Sequence, residues 1–561
     1  MAIGIALRDK GLISDDQLDQ AIAEHERTGE RLDRVLLRQG AVSREDLNRT
    51  IGEQFHLPVI DLGDTLPEQD ALDAIPASFV TRHHCAPVAF RDGRLTVATS
   101  DPFEITALDE LVSIIGRPID LVLADESELQ KFIREHYGLG SDTLETLGAD
   151  LEIKPEDGAS DEVEQAQEAS VIKLVNDILA EAVQERATDV HVEPYEHELA
   201  VRFRIDGVLQ KANVPPSINA FGPAIVSRLK IMANLNIAEK RKPQDGRITF
   251  RQRVDGRVHE FDLRVSVIPM LFGEGIVLRI LSKTAVMLPL EDLGMSGSIL
   301  ERWDHLISRP HGITLVTGPT GSGKSTTLYS SLNRIVTDEV KAITVEDPVE
   351  YHVPRVNQIQ VNTRTGLTFA AGLRSILRHD PDIVMVGEIR DKETAETAIQ
   401  ASLTGHLVFS TLHTNDASGA NTRLIDMGVE PFLVSSSIEG VLAQRLVRKV
   451  CDHCAVKYRP GEQGDTEVVP RGISIPRIAQ LRKGTGCREC RNTGYRGRLG
   501  VFELLTLVPE LREMIMDRAN APAIAKRALD LNELTTLAQD GQEKLLAGKT
   551  SLAEITRALA V

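Results

Sequence analysis

A multidomain α/β protein, with a nucleotide-binding domain in its C-terminal half, is the fold class that the sequence predicts. Three observations carry this. Short apolar runs of strand length alternate with amphipathic helical patterns from about residue 57 onward. A glycine-rich run, Gly318 to Ser325, stands between an apolar strand and a helix. The 561 residues suffice for three or four domains, at roughly 150 residues each.

Composition narrows the function class. Hydrophobic residues make up 42% and charged residues 26%, as in ordinary globular proteins. Aromatic residues reach only 4%, with one Trp, which argues against base-stacking platforms. The formal charge of -19 sets up a field that repels phosphate backbones, so no direct nucleic-acid partner is expected. The opening run MAIGIALRDKGLIS is interrupted by Arg8, Asp9 and Lys10, unlike a secretory signal. No run of about 18 apolar residues occurs, so no spanning helix is expected. The expected location is the cytoplasm, with any membrane contact made through a partner.

The elements follow in order. Residues 1–56 form a helical repeat: Ile3, Leu7, Gly11, Ile13, Leu18 and Ile22 return 29 positions later as Leu32, Leu36, Gly40, Val42, Leu47 and Ile51. Each copy reads as helix, glycine stop, serine cap (Ser14, Ser43) and second helix. Residues 57–138 read as a mixed α/β unit with strands RLTVATS and LVLAD and the helix SELQKFIREHYG. Residues 139–168 read as an acidic linker; from Gly140 to Glu168 there are ten acids, one Lys and no Arg.

Residues 170–287 read as a second α/β domain. Val171, Leu174, Val175, Ile178, Leu179 and Ala182 give its first helix one apolar face. In LAVRFRIDGVL, Leu199, Val201, Phe203 and Ile205 alternate with Arg202, Arg204 and Asp206, a strand with arginines on one face. FDLRVS repeats the alternation with Arg264. The third domain, 288–561, carries the chemistry.

In GITLVTGPTGSGKSTTLYSSL a strand, the pattern G-x-x-x-x-G-K-S and a helix follow one another. Gly318, Gly321 and Gly323 let backbone amides wrap a phosphate, and the helix N-terminus adds positive potential. Lys324 reaches the outer phosphates and the Ser325 hydroxyl suits Mg²⁺; Pro319, Thr320, Ser322 and Thr326 complete the nucleotide-binding run. ATP with Mg²⁺ is the implied ligand. Such a loop needs a carboxylate partner. Glu388 emerges at the tip of the apolar run Ile383 to Val386, while AITVEDPVEY offers Glu346, Asp347 and Glu350; one of these acids is expected to orient water. His406 and His413 bracket a further strand, HLVFSTLHTND, and are candidates for sensing the terminal phosphate.

Of the five cysteines, four form two Cys-x-x-Cys pairs, Cys451 with Cys454 and Cys487 with Cys490, 32 residues apart. In a reducing compartment that spacing predicts a closed, structural tetrathiolate Zn²⁺ site, an insert at 451–490. Cys85 stands alone and reads as a small buried hydrophobe.

These motifs together resemble the type II secretion and type IV pilus assembly ATPases. LRHDPDIVMVGEIRD resembles that family's Walker B segment, AITVEDPVEY its aspartate box and TGHLVFSTLHTNDA its histidine box; ATDVHVEP, VRFRIDGVL and KPQDGRI resemble the domain before the motor. The resemblance implies a RecA-like motor fold, a homo-hexameric ring, and inner-membrane secretion or pilus platform proteins as partners of the N-terminal domains. It implies that Arg202, Arg204, Arg247, Arg264 and Arg279 serve the nucleotide, that Glu388 replaces the commoner Walker B aspartate, and that Glu350, with Glu346 second, orients water. The cysteine insert points to the assembly branch, and within it GPTGSGKSTTLYSSL and CRECRNTGYRGRLGVFELL look most like the secretion motors rather than the pilus-extension motors.

The N-terminal repeat resembles a module that binds cyclic di-GMP in some relatives. That pattern opens each copy with Arg-Leu-Gly and closes it with Gln. Here copy one opens Ala2-Ile3-Gly4 and ends at His25, while copy two opens Arg31-Leu32-Asp33 and ends at Gln54. Because neither copy is complete, a protein-docking role is the expectation. A cyclic di-GMP-responsive scaffold with an idle ATPase is the alternative from another class.

Overall fold

The computed structural model describes the chain apart from residues 1, 64, 104, 139–159, 255–256, 283–287, 296, 460–468, 471, 477–478 and 561. Two compact units result. The first comprises Met1–Thr249 and Leu263–Ile280, the second Phe250–Asp262 and Leu281–Val561.

The first unit opens with the repeat. Helices Ala2–Asp9 and Asp15–Thr28 are matched by Leu32–Arg38 and Arg44–Phe55. Ser14 accepts the Gln17 amide while the Gln17 side chain accepts the Ser14 amide, and Ser43 accepts the Asp46 amide. Gly11 (φ 71°) and Gly40 (φ 68°) both take the left-handed conformation that ends the first helix of each copy. Leu7 and Leu36, and Leu18 and Leu47, fill equivalent places in one core.

Strands Cys85–Arg91, Arg94–Thr99 and Ile119–Leu123 follow, with Cys85 buried in their core. Helix Glu126–Tyr137 is capped by Asp125 and buries Leu129, Phe132 and Ile133. The acidic linker lies largely outside the described residues; its last part, 160–168, belongs to the helix Ser160–Gln184. That helix buries Leu174, Val175, Ile178, Leu179 and Ala182, the predicted apolar face.

A six-stranded sheet follows, in the order Val208–Lys211, Leu199–Ile205, Asp189–Pro194, Gly273–Ser282, Arg257–Met270, Gln244–Val254. Leu199, Val201 and Phe203 point into the core, so Arg202 and Arg204 share the opposite face.

The second unit is built on an eight-stranded sheet in the order Val356–Gln360, Ala342–Glu346, Ile383–Val386, Leu407–Leu412, Gly312–Thr317, Ile438–Val450, Tyr495–Thr506, Leu534–Thr535. The first six strands run parallel, and the last two pair antiparallel to their neighbours. Ile313 and Leu315 belong to the core on one side of the sheet and Val316 to the core on the other, so strand Gly312–Thr317 is covered on both faces. Ile438–Val450 and Tyr495–Thr506 continue as a long antiparallel pair from Gly440↔Thr506 to Val450↔Tyr495. The cysteine insert, with its short pair Ala455–Tyr458 and Leu481–Gly484, grows from the far end of that pair.

Candidate functional site

The parallel strands of the second unit bring three chain segments to one sheet edge, as the C-terminal ends of such strands do for ligand sites in open α/β folds. The first is the phosphate loop after Thr317. Gly318 has φ 143°, Gly321 φ 78° and Gly323 φ 91°. A Cβ on Gly318 would stand 2.5 Å from the Gln444 carbonyl oxygen, so the close approach also requires glycine. Helix Lys324–Ile335 begins at Gly323 with no side-chain cap, which leaves its first amides for an anion. Lys324 Nζ donates to the carbonyls of Gly318 (2.9 Å) and Pro319 (3.1 Å), and Ser325 is exposed at the helix start. Burial pulls the Lys324 ammonium below its ordinary pKa, against an opposing pull from Glu388.

Glu388 is fixed by the ends of two strands. Gly387 N–H donates to Val345 O (2.8 Å), the Thr411 hydroxyl to Gly387 O (2.7 Å), and Ile389 N–H to Thr411 O (3.0 Å). The Glu388 carboxylate is largely buried, paired with Arg390 and 3.4 Å from His413 Nε2. The third segment holds the remaining acids. Glu346, 4% exposed, accepts from the Tyr329 and Thr344 hydroxyls and from Gln358 Nε2 (3.1 Å). Its oxygens are committed to the protein. Glu350 is half-buried beside it, its backbone N–H donating to Tyr329 Oη (3.3 Å). Tyr329 and Tyr351 stack edge to face at 4.7 Å, and burial raises the pKa of both phenols.

The structure thus gathers Lys324, Ser325, Glu350, Glu388 and His413 at one edge. His406 lies elsewhere: it precedes Leu407 at the N-terminal end of the strand whose other end leads to His413, and its ring contacts Ala401 O at 2.9 Å. Strand polarity separates two histidines that look equivalent in the sequence. Tyr329, Thr327, Gln444 and Arg445 escaped the sequence reading. The last two carry a signal in hindsight, a polar pair inside the apolar run GVLAQRLV.

In the first unit, Asp189 stands in register with Arg204 on one side and Arg279 on the other. Arg279 Nε is 3.1 Å and Arg204 Nε 3.8 Å from its carboxylate. Arg247, Arg264 and Arg279 line a cavity of about 480 Å³ with Asp189 and Asp245. Arg202 turns away to Glu193 and the Tyr195 hydroxyl.

The four insert cysteines converge, their sulfurs all within 4.8 Å of one another. Cys451 and Cys487 are 3.8 Å apart, as are Cys454 and Cys490. Backbone N–H groups of Cys487 and Gly494 donate to Cys490 Sγ at 3.2 Å each, which favours the thiolate a metal requires. This donor set fits a tetrahedral metal ion.

A RecA-like parallel sheet with a phosphate loop and a carboxylate on the next-but-one strand defines a nucleotide-hydrolysing P-loop enzyme. Residues 164–557 match the family described as Type II/IV secretion system protein, and the chain belongs to that ATP-hydrolysing family. It is 42% identical to the type IV pilus assembly ATPase PilB of Myxococcus xanthus, over 99% of this chain and 98% of that protein. It is equally 42% identical to the type II secretion system protein E of Xanthomonas campestris pv. campestris, over 98% of this chain and 97% of that one. The solved structure of the ATPase DotB of Yersinia pseudotuberculosis aligns with 69% of this chain and 93% of its own at a TM-score of 0.51 and 20% identity, a likeness of fold. A second family model, the MshEN domain, matches residues 55–143, downstream of the helical repeat. Among the described residues no helix is long and apolar enough to cross a membrane.

Proposed function

We propose that this chain is a homo-hexameric ATPase of the cytoplasm that drives assembly of pilin-like subunits for type II secretion, held at the inner membrane by platform proteins. Lys324 and the loop amides hold the phosphates, and the Ser325 hydroxyl is the protein ligand for Mg²⁺, which supplies charge neutralisation at the transferred phosphoryl group. Glu388 faces the same edge as the metal-side Walker carboxylate, with His413 beside it. Glu350 orients the attacking water, because the oxygens of Glu346 are already engaged by Tyr329, Thr344 and Gln358. Arg204, Arg247, Arg264 and Arg279, with Arg202, are the cations that serve the nucleotide in the ring. Cys451, Cys454, Cys487 and Cys490 hold a structural Zn²⁺.

The observation that carries this reading is Glu388, fixed between strand ends and electrostatically coupled to Lys324 across the phosphate loop. Steady-state ATP hydrolysis measured against protein concentration tests it. Turnover per subunit that rises with concentration, and is lost in Glu388→Gln, supports a ring motor; turnover independent of concentration sinks the ring.

A pilus-extension motor is the second reading, favoured by the equal identity to the Myxococcus xanthus relative. Co-purification with a pilus platform rather than a secretion platform decides between them. For the N-terminal region we propose protein docking. The MshEN match at 55–143 keeps cyclic di-GMP as the ligand to titrate against the full chain.

A further inference from the structure

The strand Ile438–Val450 runs beside the phosphate-loop strand, and the last registered pair is Thr317 with Ala443. The next residues, Gln444 and Arg445, therefore flank the loop itself. Both are buried, at 2% and 5% exposure. Gln444 meets the loop at its two ends. Its carbonyl oxygen is 2.5 Å from a Cβ built on Gly318, and its Nε2 is 2.7 Å from one built on Gly323. Its Oε1 accepts the Thr327 hydroxyl at 2.7 Å, in the first turn of the loop's helix. With Oε1 committed there, the amide donor end faces Gly323.

Arg445 stands behind Gly318, its Nη1 3.3 Å from the same constructed Cβ. It donates to Gln444 O (3.2 Å) and Asn415 O (2.8 Å), and its buried Nε has no partner among the described residues. A buried cation bonded only to neutral carbonyls is poorly compensated until an anion arrives nearby. Its charge repels the like charge of Lys324, and Glu503 and Asp416 attract it from longer range.

We propose that Gln444 is a positioning residue for nucleotide binding, its Oε1 holding Thr327 and its amide nitrogen packed where a side chain on residue 323 would stand, so that the loop amides converge on phosphate, with Arg445 as the fixed positive charge behind Gly318. Gln444→Glu keeps an acceptor for Thr327 but turns a negative oxygen towards the loop. Gln444→Met keeps the volume and removes the acceptor for Thr327 together with the amide nitrogen. This inference rests on the ATP reading above.

The test uses the full-length protein, a fluorescent ATP analogue for Kd and Mg-ATP for turnover. Gln444→Glu and Gln444→Met should each raise KM and Kd about tenfold or more, with a smaller change in kcat. Thr327→Ser should stay near wild type, Thr327→Val should weaken binding, and the Gln444→Met, Thr327→Val double variant should be no worse than Gln444→Met alone. A purely structural role would lower the thermal midpoint and leave KM unchanged in the protein that remains folded. Wild-type KM and Kd in Gln444→Met, or equal behaviour of Thr327→Ser and Thr327→Val, overturns the proposal. The threonine series decides if the Gln444 variants do not fold. Lys324→Ala, run in parallel, separates the failures. If it binds the analogue like wild type, the phosphate-loop reading falls and the inference with it. If it loses binding while the Gln444 variants keep it, the positioning role alone falls.

Discussion

Tyr329 donates its phenolic hydrogen to Glu346, tying the helix of the phosphate loop to the end of strand Ala342–Glu346. The same hydroxyl accepts the backbone N–H of Glu350. One phenol therefore separates the two glutamates: Glu346 becomes a buried acceptor, and Glu350 is placed beside it by its backbone.

The sorting predicts unequal mutants. Glu350→Gln should lower kcat on the order of 10²–10⁴-fold, the range for a lost general base, with nucleotide binding retained. Glu346→Gln should act mainly on stability. Tyr329→Phe should cost roughly 1–3 kcal/mol by stripping a donor from a buried carboxylate. Single-turnover hydrolysis and urea unfolding on the three variants check this; a larger kcat loss in Glu346→Gln than in Glu350→Gln reverses the assignment.

Lys324 carries a cost in the free protein. Burial depresses its pKa, and among the described residues its ammonium bonds only to the carbonyls of Gly318 and Pro319. A lysine with a depressed folded pKa destabilises the fold below its unfolded pKa, and this penalty fades as pH rises towards that value. Lys324→Met should therefore abolish turnover yet raise the thermal midpoint of nucleotide-free protein at neutral pH. The gap should narrow at alkaline pH. A lower midpoint than wild type would show that the lysine is already well compensated without nucleotide.

Glu554 makes the opposite contribution. Against the cost of its burial, hydrogen bonds from Arg557, Arg448 and the Arg448 backbone amide hold its pKa down to about 2. A depressed carboxylate stabilises above its unfolded value, near 4.5, and that stability is lost as pH falls towards 2. Glu554→Gln should cost roughly 1–3 kcal/mol at pH 7. Denaturant unfolding from pH 7 to pH 2 should show the wild-type advantage fading between about pH 4.5 and 2. An advantage independent of pH would contradict the ion-pair origin.

The tetracysteine site predicts about one zinc ion per chain by elemental analysis. Cys490→Ser should lose it, and hydrogen exchange should rise first within residues 451–494. The sheet beneath should remain protected, because strands Ile438–Val450 and Tyr495–Thr506 are anchored in the main core as well as at the insert. Full zinc occupancy in Cys490→Ser would remove this thiol from the ligand set.

By itself the sequence determined every feature set by local chemistry. The repeat's glycine stops and serine caps, the strand–loop–helix at Gly318 to Ser325, and the paired cysteines all follow from residue types at short spacing. The alternation in LAVRFRIDGVL likewise set Arg202 and Arg204 opposite the buried face. Tertiary structure decided what depends on strand order and direction. His406 and His413 bracket one strand, and only the parallel pairing of that strand with Gly312–Thr317 shows that His413, not His406, lies at the phosphate-loop end. Gln444 and Arg445 reach the phosphate loop only because a strand that begins 120 residues after Gly318 inserts directly beside it. Side-chain periodicity is written in the chain; which strands become neighbours is settled by burying both faces of the sheet at once.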